Sequence, residues 1–224
     1  MKHISAIRGF FPFMAIAFLN AFVDLGHKII VQNAVFKIYD GETQVILTAV
    51  VNALILLPFI ALFSPAGFIS DKYPKHLVMR YGALAAIGIT LLITTCYYVG
   101  WFWPAFALTF VLAIQTALYS PAKYGYIREL VGDEGLAKGN AAVQAVTVMG
   151  ILLGTFVFSG LFEMLLARNE LVTTDQILTL IAPLGWLLVV LSMVELLFSY
   201  RLEAKTQTDH TLNFDFTEYR KLRY

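Results

Sequence analysis

About six long apolar stretches, each able to cross a bilayer, divide this chain, and the Lys and Arg residues between them fall alternately on two sides. The stretches run roughly Phe10 to Phe36, Gln44 to Ile69, Leu77 to Val99, Trp101 to Tyr124, Leu136 to Ala167 and Ile177 to Tyr200. They lack the strict apolar and polar alternation of a porin strand, so the pattern predicts helices. With 59% hydrophobic and 14% charged residues, a water-soluble chain of 224 residues could not cover its apolar surface. The fold class expected is an all-α membrane protein. Residues 1–200 form a six-helix transmembrane bundle and residues 201–224 a linker or tail. The first stretch carries Asp24, His27 and Lys28 and has no small-residue cleavage site, so it is a span and not a removable signal.

Charge sets the expected orientation. Lys2 and Arg8 precede the first span, and Lys72, Lys75 and Arg80 lie between the second and third. Lys123, Arg128 and Lys138 lie between the fourth and fifth, and Arg201, Lys205, Arg220, Lys221 and Arg223 follow the sixth. The opposite side is poor in cations, with Lys37 set against Asp40 and Glu42, and Arg168 after the fifth span. Both termini are therefore expected in the cytoplasm. The net charge of +1 offers no basis for nucleic-acid binding, because the cations serve orientation. Cys96 is a single apolar filler without a disulfide partner.

Ionisable groups are costly inside a membrane and mark candidate sites. Here they gather in the first span, where Asn20, Asp24, His27 and Lys28 share one broad helical face, with Asn33 beyond. Two readings stand. Asp24 and Lys28, one turn apart, can neutralise each other as an internal ion pair, or they can line a cavity and bind a molecule carrying both charges. In the second case Asp24 takes an amine or a coupling cation and Lys28 a phosphate or carboxylate. The fourth span has a second polar row of Gln115, Tyr119 and Lys123, one turn apart, beside Ser120 and Pro121. Lys123 can be read as a snorkelling cation that orients the span; Gln115 is deeper and its amide needs a partner.

In the fifth span Gly150 and Gly154 form a small-xxx-small pair that predicts close helix packing. Glu163 and Glu195 read as interfacial anchors, with Arg201 available to pair with Glu195, and Asp133 and Glu134 read as N-terminal residues of the fifth helix. Pro58, Pro65, Pro121 and Pro183 fall in or at the ends of spans. Enzymatic signatures are missing: no metal-ligand spacing, nucleophile elbow or phosphate-cradling loop is present, so neither metal nor cofactor is expected. His76 and His210 read as solvated surface residues.

Between the second and third spans, Gly67, Asp71, Lys72, Lys75 and His76 follow one another in the order glycine, three residues, aspartate, basic residues. This resembles the cytoplasmic loop motif of the major facilitator superfamily, with Pro74 where a glycine is usual. In that family Gly67 would permit tight packing, Asp71 would pair with cations or a helix end, and Lys72 and Lys75 would anchor a gating loop. The resemblance implies the N-terminal bundle of such a transporter, two inverted three-helix repeats whose first helices, spans one and four, line the cavity.

Tyr119 to Gly125, Arg128 to Val131 and Leu136 to Gln144 look like the lysophospholipid transporter family, including versions fused to an acyltransferase and an acyl carrier protein ligase. That resemblance implies movement of lysophospholipid, lysophosphatidylethanolamine in particular, across a bacterial inner membrane for reacylation. Its partners would be membrane lipid and a second six-helix bundle or an acyltransferase domain. The other readings are a membrane anchor for such an acyltransferase and a drug or small-molecule exporter. Drug export is weakened because span four lacks the arginine of proton-coupled antiporters and span five lacks the proline of their signature.

Overall fold

A helix as long as α5, Phe102–Leu166 with 65 residues, would be roughly 98 Å if straight, about three times the thickness of a hydrocarbon core. It is not straight. Gly132, with φ 70° and ψ 177°, lies in a region that only glycine enters without strain, and there the helix breaks into two arms, 102–131 and 133–166. The arms fold back on each other, as the Gln144 side chain donating to the Tyr124 hydroxyl at 3.4 Å shows. The expected loop from Arg128 to Lys138 is thus a one-residue reversal. Asp133 begins the second arm and accepts from Arg128 at 2.6 Å.

This computed structural model describes residues 7–167 and 173–204. Lys2, Arg168, His210 and the tail from Lys205 onward lie outside the described residues. The other helices are α1 (Phe10–Ile38), α2 (Gly41–Ala61), α3 (Phe63–Lys72), α4 (Lys75–Val99) and α6 (Thr174–Ser199), and none of the described residues forms a strand. The second expected span is therefore two helices. Pro58 lacks an N–H inside α2, Pro65 stands in the first turn of α3, and the chain turns between them at Leu62 with φ −103° and ψ 8°. With α2 and α3 taken together and α5 divided at Gly132, the described residues form six long helical segments of an all-α membrane bundle.

Lipid gives helices little reason to associate, so contact must come from close packing. Gly150 and Gly154 supply it: a Cβ on either would stand 2.6 Å from the Phe18 carbonyl oxygen or 2.9 Å from that of Phe22. The second arm of α5 therefore lies directly on the backbone of α1, as the small-residue spacing predicts. Behind α1, the Gly185 backbone meets Thr94 and brings α6 against α4. Phe158, Phe162, Ile181 and Leu188 are buried at one end of the core, and Phe13, Met79, Tyr126 and Val143 at the other.

The two ends of the bundle differ. At one, Arg8 pairs with Glu203 at 3.3 Å, Lys75 with Glu129 at 2.8 Å, and the Arg80 guanidinium covers the Ser199 carbonyl and the Tyr200 ring. At the other, Lys37 meets Glu163 at 3.1 Å. The start of α1 and the segment after α6 thus share the cation-rich end, as the charge pattern requires.

Gly150→Ala should lower the thermal unfolding midpoint of the detergent-solubilised protein, with an overpacking cost of about 1–3 kcal/mol. Gly160→Ala, where an added Cβ meets nothing within 4 Å, should leave the midpoint unchanged. Equal melting of the two variants would show that the α1 contact is loose.

Candidate functional site

Asp24 stands in the middle of α1 and turns toward the first arm of α5, where its Oδ2 accepts from the Thr116 hydroxyl at 2.8 Å. The same hydroxyl lies 3.3 Å from the Gln115 side-chain oxygen, and its single hydrogen favours the shorter, charge-assisted bond. Asp24 sits where two cavities meet. The larger, about 570 Å³, is lined by Asn20, Ser120, Lys123, Tyr124, Thr147 and apolar groups of α2 and α3. The smaller, about 160 Å³, is bordered by His27, Lys28 and Thr109. The larger falls within the range of about 300–1,000 Å³ in which small-molecule sites occur, and the smaller lies below it.

The structure rejects the internal ion pair. Asp24 and Lys28 are not within 4 Å of each other, and the four ion pairs among the described residues join other groups. Both instead line the smaller cavity. His27 differs from its neighbours: it is fully buried, and its Nδ1 and Nε2 stand 3.1 Å from the Tyr97 hydroxyl of α4 and the Thr109 hydroxyl of α5. With both nitrogens engaged, the imidazole ties three helices together and sets the rotation of α1 that points Asp24 into the cleft. Asn33 also acts in packing, donating to Ser159 at 3.2 Å.

Lys123 does not snorkel. It is 4% exposed, and its ammonium lies 5.3 Å from the Tyr124 ring centroid and 5.8 Å from that of Tyr119. The aromatic faces hold the cation, and Asp24 and Glu195 act on it electrostatically from beyond ion-pair distance. Gln115 and Tyr119 face the opposite side of the arm, where they floor an apolar cleft of about 520 Å³ between α4 and α5. The Gln115 amide nitrogen and the Tyr119 hydroxyl are buried there without hydrogen-bond partners. The polar row of the fourth span is therefore divided between two cavities.

Around the expected gating loop, Lys72 lies over the Phe68 ring at 5.3 Å and Asp71 is exposed at the end of α3. Gly67 does not mediate packing within this bundle, because a Cβ there would meet nothing within 4 Å. The close approach is at Gly125, where the Lys75 stem crosses α5 to reach Glu129 and a Cβ would stand 2.6 Å from the Lys75 Cε.

Glu195 is the residue most misread from sequence. It is 1% exposed inside the bundle, beside Tyr119, and does not anchor at an interface with Arg201. A carboxylate with Ser192 and Ser199 on the same helical face was the available signal, since a polar stripe on a lipid-embedded helix points inward. Thr116 and Thr147 were missed because a lone intramembrane hydroxyl commonly bonds its own helix backbone.

His27→Phe should lower the unfolding midpoint, at a loss of about 2 kcal/mol or more of stability, because two buried hydroxyls lose their partner. Asp24→Asn, which keeps an acceptor for Thr116, should melt like the parent. The opposite order would make His27 a cavity group and Asp24 the structural one.

No protein-family profile matches the chain. No solved structure matches it. Curated proteins do. Over 143 residues it is 32% identical to an uncharacterized MFS-type transporter, YvqJ, of Bacillus subtilis strain 168, covering 59% of this chain and 33% of that protein. Over 153 residues it is 36% identical to the lysophospholipid transporter LplT of Citrobacter koseri, covering 66% of this chain and 35% of that protein. LplT of Escherichia coli strain SE11 is 36% identical over 145 residues, which are 62% of this chain and 32% of that protein. The chain thus spans about a third of the length of the relatives it matches. These relatives are named as transporters, and they match a membrane-length helical bundle with a polar cleft at its centre. Over the matched part the chain is thus similar to proteins named as lysophospholipid transporters and as an MFS-type transporter.

Proposed function

We propose that this chain is the N-terminal bundle of a transporter that moves lysophospholipid, specifically lysophosphatidylethanolamine, across a bacterial inner membrane for reacylation. One observation carries the reading. Asp24 and Lys28 lie one turn apart yet leave each other unpaired, and both border the cavity that opens at Asp24 into the larger one. Unpaired charges in a membrane interior are retained where a ligand uses them. A zwitterionic headgroup matches this pair, its amine at Asp24 and its phosphate at Lys28, while Phe59, Phe63 and Ile151 give the larger cavity an apolar wall for the glycerol and the start of the acyl chain. Asn20 and Lys123 complete the polar lining.

The cation-rich end, with Arg8, Lys75, Arg80 and Arg128, is the cytoplasmic one on this reading, which puts both termini inside. A second six-helix bundle would close the cleft where Phe63 of α3 stands 78% exposed beside it, and the two bundles would rock about the midplane site. The loop of Gly67, Asp71, Lys72 and Lys75 would meet that partner. Gly67 keeps an open surface for it, and Lys75 is already braced by Glu129.

In the natural protein, Asp24→Asn should reduce uptake of labelled lysophosphatidylethanolamine into cells or vesicles about tenfold or more at unchanged abundance. That corresponds to losing one charge-assisted contact of about 1.4 kcal/mol or more. Unchanged uptake would remove Asp24 from the site. If neutralising Asp24 and Lys28 together altered abundance alone, the bundle would be an anchor for a soluble acyltransferase.

A further inference from the structure

The headgroup reading uses one side of the first arm of α5 and leaves the apolar cleft on the other side without a role. That cleft, about 520 Å³, runs between α4 and the arm, with Leu77 and Ile89 on one wall and Val111 and Ile114 on the other. Tyr73, at the end of α3, borders it at the cation-rich end. Leu77 and Ile89 stand about 18 Å apart along α4 by helical rise, so the cleft is as deep as the hydrocarbon of one leaflet, about 15 Å. Its outer edge is open, since Tyr73 is 49%, Tyr81 66% and Val111 40% exposed. Hydrocarbon chains of the bilayer have direct access to it.

One polar group is misplaced in this apolar setting. Gln115 lines the cleft, is 7% exposed, and its amide nitrogen is buried without an acceptor among the described residues. Gly82, opposite on α4, keeps the space beside that nitrogen clear: a Cβ there would stand 3.2 Å from it and 2.9 Å from the Tyr119 ring. An unpaired amide donor in a membrane interior is costly, and an apolar cleft offers a water too few partners. The acceptor therefore comes from a ligand. Gln115 lies at the level of Gly82, about 10 Å along α4 from Lys75 at the cation-rich end. At that depth a glycerolipid passes from its polar region into its acyl chains, and its ester carbonyl is an acceptor. The Tyr73 and Tyr81 rings suit the glycerol level just above, where interfacial aromatic residues reside. We propose that this cleft is a binding site for one membrane glycerolipid of the leaflet at the cation-rich end, its ester carbonyl accepting from the Gln115 amide and its acyl chain lying along Ala85, Ile89 and Val111.

This lipid is a resident of the bundle and not its cargo. The first arm of α5 separates it from Asp24, Thr116 and Lys123, which border the cavities on the other face. A second bundle placed beside Phe63 would stand over those cavities and leave the cleft to the bilayer. The acyl chain supplies the dispersion contacts that the walls of α4 and α5 do not make with each other there, and the carbonyl satisfies the amide. The site does not depend on what the headgroup cavity binds.

Native mass spectrometry of the purified natural protein, equilibrated in mild detergent with dioleoyl phosphatidylethanolamine or its diether analogue, tests the site. The parent should retain the ester lipid about tenfold better than the diether, which has no carbonyl to accept from Gln115. Gln115→Leu should hold both lipids equally. Ala85→Trp, which fills the cleft from its open side, should lose the retained lipid, whereas Leu84→Trp, on a 53% exposed position outside the cleft, should keep it. Asp24→Asn should also keep it. Retention by Ala85→Trp equal to the parent's, or no preference of the parent for the ester, overturns the proposal. Loss of the lipid in Asp24→Asn overturns it as well, by placing the lipid in the headgroup cavity.

Discussion

Everything in this bundle depends on how closely α1 and the second arm of α5 approach. Lipid surrounds the helices as readily as another helix does, so burial supplies little of the free energy that would hold a soluble core together. Contact between backbones has to replace it. Gly150 and Gly154 let α5 rest against the carbonyl oxygens of Phe18 and Phe22, and Phe158 fills the space beside Gly26. The aromatic stack of Phe18, Phe22 and Phe158 continues that seam. Once α1 is seated there, the opposite side of its central turn has to face the first arm of α5, and Asp24 meets Thr116.

Hydrogen bonds refine what packing begins. His27 reaches Tyr97 on one side and Thr109 on the other, so α1 cannot rotate without leaving buried hydroxyls unpaired. Residues of one polar face consequently do different things: His27 fixes the helix, Asn33 joins α1 to α5 through Ser159, and Asp24 and Lys28 remain available. The same division occurs in α5. Thr116, Ser120 and Lys123 border the cleft of α1, while Gln115 and Tyr119 face the apolar cleft of α4. Such an arm is a partition between two cavities.

Where the fold was legible, the reason was physical. A hydrocarbon solvent demands long apolar helices with satisfied backbones, so span number and the sharing of one end by Arg8, Lys75, Arg80 and Arg128 follow from composition and charge. The Gly150 and Gly154 contact was readable because spacing by four residues places both on one face. The reversal at Gly132 and the break at Leu62 were not. Hydropathy averages over a turn or more of helix, and each of these events occupies a single residue.

Sequence alone determined a helical membrane bundle with its ionisable groups concentrated on the first and fourth spans, because the cost of burying charge in lipid acts on residue type and position along the chain. Tertiary structure decided which of those groups are spent and which are free. Whether Asp24 pairs with Lys28, whether Lys123 reaches the interface, and whether Glu195 faces water or Tyr119 depend on helix rotation and on neighbours distant in sequence. Those are properties of packing, which local periodicity does not encode.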